Sequence, residues 1–434
     1  MKKLLPLSLL FIITTYTFSQ QLYFPPLSGS TWQTTSPESL GWCTDKIDSL
    51  YQFLETNNSK GFIVLKDGKI VLEKYFGTFT KDSVWYWASA AKTLTGFLVG
   101  KAQEQGFLSV NDSTSTYLAK GWTNCTPEQE RKITIKNQLS MTSGLDDEVT
   151  NKNCVQKNCL NFKATASSRW AYHNAPYTLL DSIIRVATSQ TLFNYTNATI
   201  RSKIGMNGFW FNFDGANTYI SNIRSFARFG LAAQNNFIWN TDTLLADENY
   251  KNQMINTSQN LNLSYGYLWW LNGKASYMVP TSQLLIPGAY APNAPQDMIA
   301  GIGKNGQIVS VSKSRGLIMV RMGDPPSSSI EVPIQFCDEI WKELNKVICN
   351  ITSIENSQKL KNECAIFPNP ATDFIEISNL TNNKVNIEII NTLGQQLLFI
   401  ENQTRIDIST LATGIYWLVV SNQQFKYRHK IIKE

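Results

Sequence analysis

The chain has 434 residues, with 39 Lys and Arg against 33 Asp and Glu and a formal net charge of +6 at pH 7. The cations are scattered, which excludes the basic tract that nucleic acid or an anionic membrane surface would call for. Past the first residues no stretch reaches the ~18 uninterrupted apolar residues of a membrane span, and only His173 and His429 are present with no Cys-x-x-Cys pair, so neither a spanning protein nor a zinc site is indicated.

In chain order, Lys2 and Lys3 precede an apolar run at 4–14, and Thr17-Phe18-Ser19 supplies small residues before a cut near Gln20. Residues 1–19 therefore read as an export signal, whose loss takes the charge from +6 to +4 (6 − 2). Residues 20–37 form an N-terminal extension. The seven cysteines, Cys43, Cys125, Cys154, Cys159, Cys337, Cys349 and Cys364, fit an oxidising compartment. Their number is odd, so at least one stays free or pairs elsewhere, and Cys154 and Cys159 are close enough for a local bridge.

A helix is predicted after Thr44, which can cap it, because Ile47, Leu50, Tyr51 and Leu54 share one face. Residues 61–77 predict a hairpin turned at Asp67-Gly68. A second helix-like stretch, 92–100, follows Ser89-Ala90-Ala91-Lys92. Helical positions three apart share a face, so the Ser89 hydroxyl and the Lys92 amine can meet, and a serine needs an adjacent base to act as a nucleophile. With histidine so scarce, lysine-based activation is favoured over a Ser-His-Asp arrangement. The same spacing at Ser310-Val311-Ser312-Lys313 lies in a strand pattern, where residues three apart point to opposite faces.

Helical and loop stretches are expected to about residue 260. They include Tyr172-His173-Asn174, on a loop before an apolar helical run at 177–184. Gly303-Lys304-Asn305-Gly306-Gln307 then enters the strand at 308–311. Glycine lets a backbone N–H approach a ligand closely, so this entry and the Ser89 N–H are oxyanion-hole candidates. A strand at 316–321 and a helix at 332–348, striped by Ile334, Cys337, Ile340, Trp341 and Leu344, close the unit. The fold class is α+β: an antiparallel sheet flanked by helices, with an α-rich insert. Polar residues 349–364 read as a linker. Alternating strands at 374–378, 385–389 and 415–420, with turns at Asn382-Asn383, Leu393-Gly394 and Thr413-Gly414, predict a small C-terminal β-sandwich.

Taken together and in this order, Ser89-Ala90-Ala91-Lys92, Tyr172-His173-Asn174 and Lys304-Asn305-Gly306 resemble the serine β-lactamase-like family. That family includes class C β-lactamases, D-alanyl-D-alanine peptidases, related esterases and 6-aminohexanoate-dimer hydrolases. Thr142-Ser143-Gly144-Leu145, the stretch 221–230 and Tyr265-Gly266-Tyr267-Leu268-Trp269-Trp270 extend the likeness over about residues 38–345. The resemblance implies a β-lactamase/transpeptidase-like domain at 38–348 that needs no cofactor or metal. Ser89 would be the acylated nucleophile, Lys92 would help deprotonate it, and Tyr172 would serve as or share the general base. Asn174 would bind substrate or hold Lys92, and His173 would be structural or line the pocket. Lys304, Gly306 and Gln307 would supply substrate or oxyanion contacts, in a register that Gly303 leaves open by one. Trp85, Trp87, Trp269 and Trp270 are either pocket lining or core. With the Gly-Gln ending they look more like the esterase and aminohexanoate-hydrolase branch than like true β-lactamases.

The C-terminal block carries Phe367-Pro368-Asn369-Pro370, Leu393-Gly394-Gln395, Leu411-Ala412-Thr413-Gly414-Ile415-Tyr416 and a terminal Lys430-Ile431-Ile432-Lys433-Glu434. Over 365–434 it is similar to the C-terminal sorting domain of the type IX secretion system of Bacteroidetes. The expectation is an exported serine hydrolase, secreted or held at the outer-membrane surface after crossing the periplasm. Its partners would be an ester or amide substrate, small or peptide-like, and the type IX machinery. A β-lactamase or D-Ala-D-Ala carboxypeptidase using the same residues, and a catalytically silent surface binding module, are the alternatives.

Overall fold

The computed structural model describes residues 22–213, 215–327, 332–349, 366–377, 385–391, 395–421 and 426–434. The expected export signal, the stretch from 350 to 364 with Cys364, and the turns at 382–383 and 393–394 lie outside the described residues. The chain divides into two compact units, one up to Val347 and one from Ile348.

The first unit is built on a six-stranded antiparallel sheet. Its strands are β1 (Ser59–Lys66), β2 (Lys69–Tyr75), β3 (Trp270–Leu271), β4 (Ile299–Gly303), β5 (Gln307–Ser312) and β6 (Leu317–Gly323), in the order β2-β1-β6-β5-β4-β3. β1 and β2 are the predicted hairpin. Gly68 in its turn has a φ of +83°, and a Cβ there would lie 1.9 Å from the Tyr23 carbonyl oxygen, so only glycine fits. The N-terminal extension covers the β2 edge: Trp32 Nε1 donates to Gly68 O at 2.7 Å and Thr34 bridges Ile70.

Five longer helices surround the sheet: α1 (Ile47–Thr56), α2 (Lys92–Glu104), α3 (Asn174–Thr188), α4 (Ile223–Gln234) and α5 (Ile334–Ile348). Leu50 and Leu54 of the α1 stripe are buried as expected. Thr44 is not its cap. It belongs to a separate 3-10 turn, Thr44–Lys46, and α1 starts without a side-chain capping bond. α4 and α5 lie on opposite faces of the sheet. A Cβ on Gly230 of α4 would press on Val309 and Ile318 at 2.9 and 3.0 Å, whereas Trp341 of α5 donates to the Ser310 hydroxyl at 3.2 Å. Neighbouring strand residues point to opposite faces, so 309 and 310 report the two sides. α2 is buried on nearly every side, the pattern of a helix enclosed in a core.

The stretch expected to be helix and loop up to 260 also contains a three-stranded sheet. Ala216–Asn222 is its central strand, between Val84–Tyr86 and Phe209–Phe213. Cys154 and Cys159 form the local disulfide. Cys43 and Cys349 are also disulfide-bonded, whereas Cys125 and Cys337 are free. Among the described residues no helix is long and apolar enough to cross a membrane.

The second unit has a three-stranded and a four-stranded sheet. Alternate residues, among them Ile375, Ile377, Ile387, Ile389, Leu418 and Val420, are buried in one apolar cluster. The period-two pattern read from the sequence is thus the inward face of a small β-structure.

Candidate active site

Ser89 sits in the 3-10 turn Ala88–Ala91 that leads into α2. Ala88 has a φ of +49°, a left-handed conformation that bends the backbone just before the serine. Lys92 opens α2 one turn later and is 2% exposed. Its Nζ donates to Ser89 Oγ at 3.0 Å and to Asn174 Oδ1 at 2.9 Å. It also lies 4.1 Å from the Tyr177 ring centroid and 5.1 Å from that of Tyr172. The second Ser-x-x-Lys copy makes no such pair. Ser310 is bonded to Trp341 inside the core, and Lys313 reaches out to Asn236.

Tyr172 is in the extended segment ahead of α3, 9% exposed. Its ring stacks on Trp270 at 5.9 Å and meets Tyr265 edge-on at 6.1 Å, a support that fixes the direction of the phenol. Asn174 begins α3 and passes the hydrogen-bond chain on: its Nδ2 donates to Asn153 Oδ1 at 2.8 Å. Asn153 directly precedes the Cys154–Cys159 bridge, which ties down this loop.

Ser89, Lys92, Tyr172, Asn174 and Lys304 line one cavity of about 440 Å³. Lys152, Asn153, Phe211, Phe213 and Thr281 join them, and no Asp or Glu does among the described residues. Sequence reasoning missed these five. For the phenylalanines a signal was available, in the period-two spacing of Phe209, Phe211 and Phe213.

Gly306 and Gln307 are not brought to the cavity. A Cβ on Gly306 would meet Arg321 and Phe336 at 2.9 Å, and the Gln307 side chain exchanges bonds with the Gly323 backbone at 2.6 and 3.1 Å. Arg321 in turn binds the carbonyls of Asn305 and Gly306, at 2.5 and 3.1 Å, and so pins the Lys304–Gly306 turn. The close approach to the serine comes instead from β4. A Cβ on Gly303 would be 2.9 Å from the amide nitrogens of both Ser89 and Ala90. β4 pairs with β3 only through Ile299 and Ala300, which leaves its edge open beside the serine.

Of the four tryptophans left open between pocket and core, three fall in the core, and the half-buried Trp85 lies outside the cavity lining. Trp87, Trp269 and Trp270 are at most 1% exposed, and Trp85 donates to Gly323 O at 3.3 Å. His173 is buried, with no protein partner for either ring nitrogen, and burial pushes its pKa down to about 4. Asp181 of α3 is buried as well and receives the Asn217 amide. Burial outweighs that bond and pushes its carboxyl up to about 7.

A family model described as Beta-lactamase matches residues 58–323, and one described as Secretion system C-terminal sorting domain matches 365–434. Protein flp of Staphylococcus aureus strain N315 is 28% identical over 184 residues, 36% of this chain and 37% of that protein. The chain thus spans little more than a third of the curated relatives it matches. A candidate beta-lactamase from Bacteroides dorei DSM 17855 shares the fold with a TM-score of 0.56 at 16% identity, over 71% of this chain and 99% of that one. A candidate 6-aminohexanoate-dimer hydrolase from Bacillus anthracis gives 0.55 at 16%, over 79% and 90%.

Proposed function

This chain belongs to the beta-lactamase family through residues 58–323, and from that premise we propose that it is an exported serine hydrolase cleaving an ester or amide through an acyl-enzyme on Ser89. The observation that carries the reading is the Lys92 amine, 2% exposed and 3.0 Å from the Ser89 hydroxyl inside a cavity. Ser89 Oγ attacks the substrate carbonyl carbon while its proton passes to the Lys92–Tyr172 pair. The oxyanion is held by the Ser89 N–H and by an N–H on the open β4 edge, an assignment that replaces the Gln307 amide. Collapse of the tetrahedral intermediate expels the alcohol or amine, which takes the proton back from the same pair. Water then repeats the attack on the acyl-enzyme and regenerates Ser89. The C-terminal domain would deliver the enzyme through a type IX secretion system.

The test is labelling by a fluorophosphonate. The wild type is expected to take up the probe at Ser89 and the Ser89→Ala variant to stay unlabelled, and no labelling of the wild type would refute the reading. A β-lactamase or carboxypeptidase activity is the second reading, favoured by Lys152 and Lys304 lining the cavity with no acidic residue among the described ones, a setting that suits a carboxylate-bearing substrate. Turnover of a chromogenic cephalosporin in preference to nitrophenyl esters would select it.

A further inference from the structure

The three-stranded sheet beside Ser89 is packed inside out. Phe209, Phe211 and Phe213 pair with Ile220, Thr218 and Ala216, and Tyr86 pairs with Ile220 from the other side. Side chains alternate along a strand, so all seven share one face. The opposite face is the anchored one. Tyr219 is fully buried there, and Trp210 packs on it at 5.4 Å and donates to the Thr196 hydroxyl at 2.8 Å. Core packing therefore accounts for the Trp210 face and leaves the phenylalanine face unexplained. Phe209, Phe211 and Phe213 are 46%, 48% and 70% exposed. An exposed row of this kind marks a contact surface rather than chance.

That face is continuous with the catalytic cavity, since Tyr86, Phe211, Phe213, Ala216, Thr218 and Ile220 line it together with Ser89. Phe209 extends the same face beyond the cavity lining, and from Phe209 to Phe213 the row runs roughly 13 Å along the strand, at about 3.4 Å per residue. We infer that the Phe209–Phe213 face is the binding wall for a linear apolar acyl chain, which makes medium-chain acyl esters or amides the substrate class. This rests on the acyl-enzyme reading above. The acyl group stays on Ser89 through both half-reactions, so the wall is assigned to the acyl side, and the alkyl acetate series tests that side against the leaving group.

The experiment compares kcat/KM of the full-length protein for p-nitrophenyl acetate, butyrate, octanoate and decanoate, with a parallel series of alkyl acetates. The wild type is expected to prefer octanoate over acetate by at least ~10-fold, given about 0.8 kcal/mol per buried methylene. Phe211→Ser with Phe213→Ser is expected to remove most of that ratio, and Phe213→Ser alone, at a 70% exposed position that folding does not need, part of it. Phe107→Ser, at an exposed phenylalanine outside the cavity, should keep the wild-type ratio. A flat acyl series, an unchanged ratio in both wall variants, or dependence on the alkyl rather than the acyl length overturns the inference. Fluorophosphonate labelling of Ser89 is scored separately, so a flat series on a labelled enzyme condemns the wall alone, and an unlabelled enzyme condemns the hydrolase reading.

Discussion

Lys92 meets the Ser89 hydroxyl, the Asn174 amide oxygen and the faces of two tyrosine rings, all while removed from solvent. Such a seat is the basis for the proposed proton exchange between Ser89 and the Lys92–Tyr172 pair. Lys92→Ala and Tyr172→Phe are each expected to lower kcat/KM by at least ~10²-fold, the usual scale of general base catalysis, with the fold preserved by circular dichroism. Near-normal turnover in either variant would remove the role assigned to it. Two other buried groups act on stability. His173 titrates near 6.5 when unfolded and about 4 when folded, so its contribution is present above 6.5 and lost as pH falls toward 4. Asp181 has the opposite sign. Its carboxyl rises from 3.8 to about 7, so its contribution is present below 3.8 and lost as pH rises toward 7. Over the shared window the slopes oppose, each at most about 1.4 kcal/mol per pH unit. Asp181→Asn should therefore make urea stability fall as pH drops from 6.5 to 4.5, and His173→Phe should make it rise. Identical profiles in the two variants and the wild type would mean that neither group keeps its burial in solution.

Among the elements, β4 lies directly against the turn that carries Ser89. Gly303 allows the strand to lie against the Ser89 turn, because a Cβ there would be 2.5 Å from Trp87 O and 2.9 Å from the Ser89 N. Both neighbours are backbone, so one of the two elements has to shift. Gly303→Ala is expected to cost about 10²-fold in kcat/KM, on the scale of a 1 Å misplacement, and to slow fluorophosphonate labelling alongside. Wild-type kinetics in that variant would show that the close approach is dispensable. The same residues explain what the sequence concealed. The β1–β2 hairpin announced itself by its Asp67-Gly68 turn, α5 by its apolar stripe, and the serine-lysine pair by helical spacing. β4 did not, because Gly301 and Gly303 serve a close approach and lower strand propensity in doing so. The Phe209–Phe213 strand has the alternation of a half-buried strand, yet its apolar face turns to the cavity and not to the core. Gly306 and Gln307 read as pocket residues because they belong to the glycine-rich strand entry and to the third motif of the resemblance, and the hairpin geometry turns them toward Arg321 and Gly323 instead.

At the scale of the molecule, the proposed chemistry and the sorting-domain match occupy different stretches of chain. Every residue lining the cavity lies between Tyr86 and Val332, inside the first unit, and the sorting-domain match begins at residue 365. The second unit has an apolar cluster of its own, from Ala371 to Ile431, so it does not depend on the catalytic core for burial. A chain ending after Cys349, which keeps that disulfide-bonded cysteine, is expected to hydrolyse its ester substrates with kcat and KM unchanged. In a host with a type IX system the same truncated chain should remain in the periplasm, while residues 365–434 fused to a reporter carry it to the surface or the medium. Loss of turnover in the truncated enzyme, with its thermal transition intact, would mean that the C-terminal unit takes part in catalysis. The division of labour read from these two stretches would then be wrong.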